Sequence, residues 1–138
     1  MPPSRELRPP IFRRLQRQVP VEVQVFGLQK HADVRKALRF FSERRVKVHF
    51  VDFKERAASK GELQRFAQKF GVGALIDKSS KRYAELGLGV VRYTDERWLD
   101  TLANEPFVLV MPLVRWQHKV TVGFADTEWD SWVRANKP

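Results

Sequence analysis

The stretch VEVQVFGLQKHADVRKALRFFSERRVKVHFVDF, residues 21–53, carries the pattern that decides the fold. Valines alternate with other residues at its start, which is the period of a β-strand, and Gly27 ends the alternation. Apolar residues then recur at helical spacing from Ala32 to Arg45, and a run rich in Val and Phe follows from Val46 to Phe53. The order strand, helix, strand predicts two parallel strands joined by a right-handed crossover.

The sequence after this unit is predicted to be helical. Ser59 and Glu62 have the spacing of a capping box, and Gly71 supplies the stop at the end of that helix. Short helical pieces are predicted within residues 74–88, and Thr94 has the position of a cap for a further helix. Four apolar residues form the face that the first of these helices is expected to bury: Leu63, Phe66, Ala67 and Phe70.

Two more strands are predicted near the C-terminus. Residues 107–111 form a continuous apolar run, which is typical of a strand buried on both faces, and residues 119–124 alternate. We predict that the two pair as an antiparallel hairpin, and that a helix from Thr127 then buries Trp129, Trp132 and Val133. The complete order predicts an α/β, thioredoxin-like fold: a four-stranded mixed β-sheet flanked by helices, with an inserted helical segment.

Composition indicates one domain preceded by a basic segment. The 138 residues are 43% hydrophobic, with ten Phe and four Trp, which is enough for a core of its own. Residues 1–19 are rich in Pro and Arg and are predicted to form a flexible tail, with the domain over residues 20–137. The formal net charge is +10, of which residues 1–20 carry +4. Such charge attracts nucleic acid or other anionic partners, although on many proteins it only keeps the surface solvated.

The chain contains no cysteine, which excludes disulfides, thiolate catalysis and cysteine-ligated zinc. No apolar run approaches the roughly 18 residues of a membrane span, and the N-terminus lacks the pattern of a signal peptide. The spacings of His31, His49 and His118 match no metal-binding pattern. We therefore predict a cytoplasmic protein with no membrane association, no metal and no cofactor.

Five segments, in this order and spacing, resemble the arsenate reductase (ArsC) and Spx family. They are FGLQKHADVRKA (26–37), VDFK (51–54), ALIDK (74–78), YAELGL (83–88) and FVLVMP (107–112). The resemblance covers about residues 21 to 135 and implies the thioredoxin-like fold. It also implies that Pro112 occupies the position of the family's cis-proline.

The same resemblance implies that the family's active positions are replaced. The nucleophilic cysteine at the head of the first long helix matches His31, and two arginines of arsenate-reducing members match Asp77 and Met111. A slip in the alignment would instead make Arg82 or Arg115 candidates for those arginines. Because an imidazole cannot form the arsenic–sulfur adduct or a mixed disulfide, we expect no thiol-dependent arsenate reduction.

Three functions remain open. The first is a non-catalytic protein-binding or regulatory module, whose partner would belong to the transcription machinery by analogy with Spx-like relatives that bind RNA polymerase. The second is an enzyme with a thiol-free, anion-binding site at His31 and Arg35, although His31 is equally an exposed polar residue that fills a vacated position. The third is a nucleic-acid-associated protein that uses its basic tail. The sequence does not predict the oligomeric state.

Overall fold

Four strands form one mixed sheet in the computed structural model, which describes residues 21–136. Their order across the sheet is β2-β1-β3-β4; β1 and β2 are parallel, and the other neighbours are antiparallel. The strands are β1 (Glu22–Gly27), β2 (Lys47–Asp52), β3 (Leu113–Trp116) and β4 (Lys119–Val122). The predicted four-stranded mixed sheet is therefore confirmed, whereas the predicted tail over residues 1–19 lies outside the described residues.

Five α-helices and three short 3-10 turns connect and cover these strands within the described chain. The helices are α1 (Ala32–Glu43), α2 (Lys60–Phe70), α3 (Lys81–Glu85), α4 (Asp95–Asn104) and α5 (Asp126–Ala135). The 3-10 turns are Val72–Leu75, Leu88–Val90 and Pro106–Val108. None of the helices within residues 21–136 has the length and apolar character needed to cross a bilayer.

Local sequence signals explain where the helices begin and end. Ser59 and Glu62 form the predicted capping box of α2, and the Thr94 hydroxyl accepts a hydrogen bond from the backbone of Arg97 at the start of α4. The first helix ends two residues earlier than predicted, because Arg45 adopts a left-handed backbone conformation with φ of 57°.

Each face of the sheet carries its own apolar layer. The layer shared with α1 and α5 consists of Val23, Val25, Ala37, Phe41, Val114, Trp116, Trp129 and Trp132. Within it, the Trp129 indole N–H donates a 2.8 Å hydrogen bond to the Thr121 hydroxyl, so these buried polar groups are satisfied. The opposite layer packs strand residues against α2 and α4. It includes Phe26, Val51 and Leu113 from the sheet and Leu63, Phe66 and Leu102 from the two helices.

The predicted placement of the hairpin is wrong. Residues 107–111 do not form a ladder strand; they begin in a 3-10 turn, and Leu109 makes a single bridge to Ile76. The hairpin pairs β3 with β4 through a two-residue turn at Gln117 and His118. The apolar run at 107–111 reflects burial by packing. Arg115 breaks the apolar pattern of the true strand, and no Gly or Asn marks its turn.

The predicted buried face of α2 is also wrong at its last member. Leu63 and Phe66 are buried and Ala67 is half-buried, but Phe70 is 40% exposed. Phe70 is the final residue of the helix, one turn beyond Phe66, and the Lys69 ammonium lies 5.2 Å from the centre of its ring. Burial therefore ends one turn before the helix does.

Candidate functional site

His31, which matches the family's cysteine, is the N-cap of α1. Its backbone is extended, and its own N–H donates a 3.0 Å hydrogen bond to the Leu28 carbonyl. Its Nδ1 accepts a hydrogen bond of 3.2 Å from the backbone N–H of Asp33, which satisfies one of the free donors at the helix start. The half-buried imidazole is therefore part of the helix cap.

Met111, which matches a family arginine, belongs to the core. Its side chain is 6% exposed and lies beside the end of β1. A Cβ placed on Gly27 would lie 2.6 Å from Val34 Cγ2 and 3.5 Å from Met111 Cβ, so strand, helix and Met111 meet with no spare volume. The following peptide bond, to Pro112, is cis. This position supplies apolar packing where the family arginine would supply positive charge.

Asp77, which matches the other family arginine, closes a turn. Its carboxylate Oδ1 accepts hydrogen bonds from the backbone N–H of Ser79 at 3.0 Å and from the Ser79 hydroxyl at 2.6 Å. Its backbone N–H donates to the Val108 carbonyl at 2.8 Å. The sequence already contained the signal for this role, because Asp followed two residues later by Ser is typical of an Asx turn.

Backbone contacts bring the segments that carry these three residues to one end of the sheet, here called the corner. The segment 75–77 pairs with 108–110 through the Ile76–Leu109 bridge and a 2.9 Å hydrogen bond from Val110 N–H to the Leu75 carbonyl. Met111 follows directly and contacts the end of β1, from which the loop to His31 leaves. The three segments therefore lie together as they would around a site. Within the corner, however, His31 caps a helix, Asp77 closes a turn and Met111 belongs to the core.

The two arginines that a slipped alignment would supply are bound elsewhere. Arg82 Nε donates to Glu105 Oε1 at 2.8 Å, and its guanidinium also lies 3.4 Å from Glu85. The hydrogen bond to Glu105 is the main cause that raises the pKa of Arg82 above its ordinary value. Arg115 lies on β3, where its guanidinium donates to the Gln24 side chain at 3.2 Å and to the Gln117 carbonyl at 2.7 Å.

The anion site predicted at His31 and Arg35 stays a prediction. The Arg35 guanidinium donates to the backbone carbonyl of Lys30, and His31 Nδ1 is used by Asp33. Asp33 also places a carboxylate in the first turn of α1. Within residues 21–136, no three His, Asp or Glu side chains come together as a metal site.

Two open cavities lie near the sheet. The first, of about 460 Å³, is lined by Phe53, Arg82, Glu85, Glu105, Pro106 and Phe107. The second, of about 440 Å³, is lined by Gln29, Phe50, Val51, Asp52, Glu55 and Arg56. Neither of these two is lined by His31, Asp77 or Met111.

Comparisons with known proteins identify a family for this chain. A sequence model of the ArsC family matches residues 26–132. The uncharacterized protein YusI of Bacillus subtilis is 28% identical over 100 residues, which are 70% of this chain and 85% of YusI.

Solved structures share the fold. An arsenate reductase from Vibrio cholerae superposes with a TM-score of 0.69 at 21% identity, over 79% of this chain and 95% of that one. The protein YffB superposes with a TM-score of 0.72 at 15% identity, over 79% and 96%. At these identities the structures show the thioredoxin-like α/β fold, as the sequence predicted. The family match spans more than three quarters of the 138 residues, and the chain therefore belongs to the ArsC family, as a divergent member without the catalytic cysteine.

Proposed function

We propose that this chain is a non-catalytic ArsC-family protein that works as a binding or regulatory module. The observation that carries the proposal is that the residues at the three family positions all have structural roles in the fold. His31 caps α1, Asp77 closes a turn, and Met111 fills the core beside Gly27. Neither the Asp77 carboxylate nor the Met111 thioether can donate a hydrogen bond or positive charge to an arsenate oxyanion, and one ring nitrogen of His31 is occupied by the helix cap.

The charges of the corner also support a non-catalytic role. The chemistry implied by the family begins with a thiolate and needs positive charge to hold an anion near it. Here the chain has no thiol, the two arginine positions carry a carboxylate and a thioether, and Asp33 adds a second carboxylate in the first turn of α1. The missing thiol removes the nucleophile, and the carboxylate and thioether at the two arginine positions remove affinity for an anion. Together these changes support loss of the reaction.

An enzyme with a thiol-free anion site at His31 and Arg35 is the competing proposal. It has less support, because Nδ1 of His31 already accepts a hydrogen bond from the backbone of Asp33, and Asp33 places a carboxylate in the same turn. Thermal denaturation with millimolar phosphate, sulfate and arsenate separates the two: a rise in Tm that His31→Asn and Arg35→Gln abolish would favour the enzyme.

A binding role requires a partner, and two classes were expected from the sequence. For a protein partner, the support is a group of exposed apolar side chains on the short helical pieces and the turn before Leu109: Leu86, Val90 and Phe107. For nucleic acid, the support is the positive charge of the chain. A partner in the transcription machinery and a cytoplasmic location both remain part of the proposal.

The decisive test of the non-catalytic role is arsenate turnover. Wild-type protein, His31→Cys and His31→Ser are incubated with arsenate, glutathione and glutaredoxin, beside a cysteine-bearing arsenate reductase as the positive control. We expect no arsenite from any of the three. Arsenite from the wild type would overturn the proposal. Turnover restored by His31→Cys alone would mean that the corner is an intact active site that lacks only its sulfur.

A further inference from the structure

The positive charge of the described chain is concentrated in one stretch. Between Lys30 and Lys47 there are seven Lys or Arg residues and two acids, Asp33 and Glu43, which gives a formal charge of +5. The other described residues contain thirteen basic and thirteen acidic side chains, so their formal charge is zero. The net charge of residues 21–136 therefore originates in α1 and its flanks.

Helical geometry places these charges on the outer side of α1. Val34, Ala37 and Phe41 are buried against the sheet. Arg35 and Arg39 are one turn apart, and Lys36 lies beside them, so the three share the solvent side of the helix. We call the following exposed residues the basic face: Lys30, Arg35, Lys36, Arg39 and Arg45.

The basic face is poorly neutralised by its surroundings. Within residues 21–136, Lys36 has one carboxylate at 4.0 Å, that of Asp33, and the other members of the face have none within that distance. Basic residues in other parts of the fold lie closer to carboxylates. Lys60 lies between Glu96 and Asp100, and Arg82 between Glu85 and Glu105.

The start of β1 lies near one end of this face. Arg45 is followed by β2, and Lys47 at the start of β2 pairs in register with Glu22 at the start of β1. In sequence, β1 is preceded by residues 1–20, which contain five arginines and carry a charge of +4.

The composition of the face favours a phosphate backbone over a protein surface. The buried centre of a protein interface is apolar and depleted of charge. The large apolar side chains that are exposed within the described residues all lie elsewhere: Phe70, Leu86, Val90, Phe107 and Phe124. The aromatic residues of α1 do not offer a stacking platform, because Phe41 is buried and Phe40 is covered by the Arg44 guanidinium at 3.7 Å. Without exposed rings, the face fits a duplex and not unstacked single-stranded bases.

We propose that the basic face binds the phosphate backbone of double-stranded nucleic acid, without sequence preference. This inference rests on the binding role proposed above and names its partner. Twelve helical residues are about 18 Å long, and a duplex carries one charge per roughly 1.7 Å, so about ten phosphates lie along that length.

Fluorescence anisotropy of the full chain with labelled DNA and RNA duplexes of about 20 base pairs tests this, between about 50 and 200 mM salt. One variant replaces Arg35, Lys36 and Arg39 by Gln. A matched control replaces Lys78, Lys81 and Arg92 by Gln, which removes the same charge from exposed positions outside the face. A third variant replaces the five N-terminal arginines by Gln, and thermal denaturation verifies that each protein is folded.

We expect the wild type to bind duplexes of unrelated sequence with similar Kd. The affinity of the basic-face variant for the duplex should fall about tenfold or more at low salt. Its slope of log affinity against log salt concentration should become shallower by about two to three. The control should change less than about threefold, because its charges lie away from the duplex.

Four results would overturn the inference. The first is no duplex binding by the wild type at low salt, and the second is an equal loss of duplex affinity in the basic-face and control variants. The third is a loss of affinity in the N-terminal variant alone. The fourth is displacement of the duplex by polyglutamate at equal charge, which would indicate an acidic protein as the partner. Each of these is independent of the arsenate assay, so failure here leaves the non-catalytic role standing, and the reverse also holds.

Discussion

Lys30 and His31 are adjacent in sequence, yet they belong to regions with opposite characters. In the corner, His31, Asp77 and Met111 are engaged by the helix cap, the turn and the core. On the basic face, the charged groups of Lys30 and Arg39 have no carboxylate within 4 Å among the described residues. The contrast indicates that the side chains at the three positions aligned with the family's active residues serve the fold, while the unneutralised surface beside them is free to meet a partner.

This contrast has a measurable consequence. Substitutions in the corner should lower the free energy of unfolding and leave duplex binding of the folded protein intact. Substitutions on the basic face should do the reverse, because exposed side chains with few and solvent-screened contacts contribute little to stability.

The largest expected effect is that of Met111→Arg. A guanidinium at a site that is 6% exposed would be buried without a counterion, and we expect a loss of about 3–5 kcal/mol in the free energy of unfolding. Urea denaturation followed by tryptophan fluorescence measures it. Met111→Leu, which keeps the volume and polarity, should lose less than about 1.5 kcal/mol. Wild-type stability in Met111→Arg would mean that the corner is open to solvent.

Gly27→Ala should have the next largest effect. The added Cβ would lie 2.6 Å from Val34 Cγ2, so the helix or strand must shift, and we expect a loss of about 1–3 kcal/mol by urea denaturation. The double variant with Val34→Ala removes the clashing methyl groups. If the two losses simply add in the double variant, the close approach of strand and helix is not the reason for the glycine.

His31→Ala should lose about 1 kcal/mol, since it removes the acceptor that satisfies the backbone N–H of Asp33. His31→Asn is the matched control, because Asn is a good N-cap residue and should keep most of the stability. The difference between the two variants in urea denaturation isolates the cap. Equal stability of His31→Ala and the wild type would show that the imidazole does not hold the helix start.

The smallest expected effect concerns pH and the link between α2 and α4. Hydrogen bonds to Glu96 and then Asp100 raise the pKa of Lys60 above its ordinary value of 10.5. The stabilisation is therefore fully present below that ordinary value and is lost as pH rises through the higher pKa of the folded state. The Tm advantage of the wild type over Lys60→Met should shrink above this pH. Lys78→Met, at a site without an observed ion pair, should show no such change.

Much of the fold was predictable, because its central unit obeys local rules. No tertiary information was needed for the strand and helix periods of residues 21–53, the capping box at Ser59, the cap at Thr94 or the stop at Gly71. The strand β3 was misplaced because the pattern of residues 107–111 records burial, and burial by packing looks the same in sequence as burial in a sheet. The exposure of Phe70 likewise depends on where neighbouring elements end.

The candidate site could be predicted only as a set of positions. The resemblance aligned His31, Asp77 and Met111 with the family's active residues, and the chain has no cysteine to supply a thiolate. Their present roles depend on hydrogen bonds and packing between segments distant in sequence, such as Met111 against Gly27. The basic side of α1 followed from the helical period predicted for residues 32–45, whereas the scarcity of carboxylates around it depends on the tertiary structure.

The most direct test of the central claim is the thiol pKa of the His31→Cys variant, measured from the pH dependence of alkylation by iodoacetamide. The chain has no other cysteine, so the signal comes from this position alone. The N-terminus of α1 and the neighbouring Lys30 lower a thiol pKa, whereas the Asp33 carboxylate in the first turn raises it. Because Asp77 and Met111 add no positive charge, the pKa should stay above about 7. A pKa clearly below 7 would show that the corner still stabilises a thiolate, and would contradict the account.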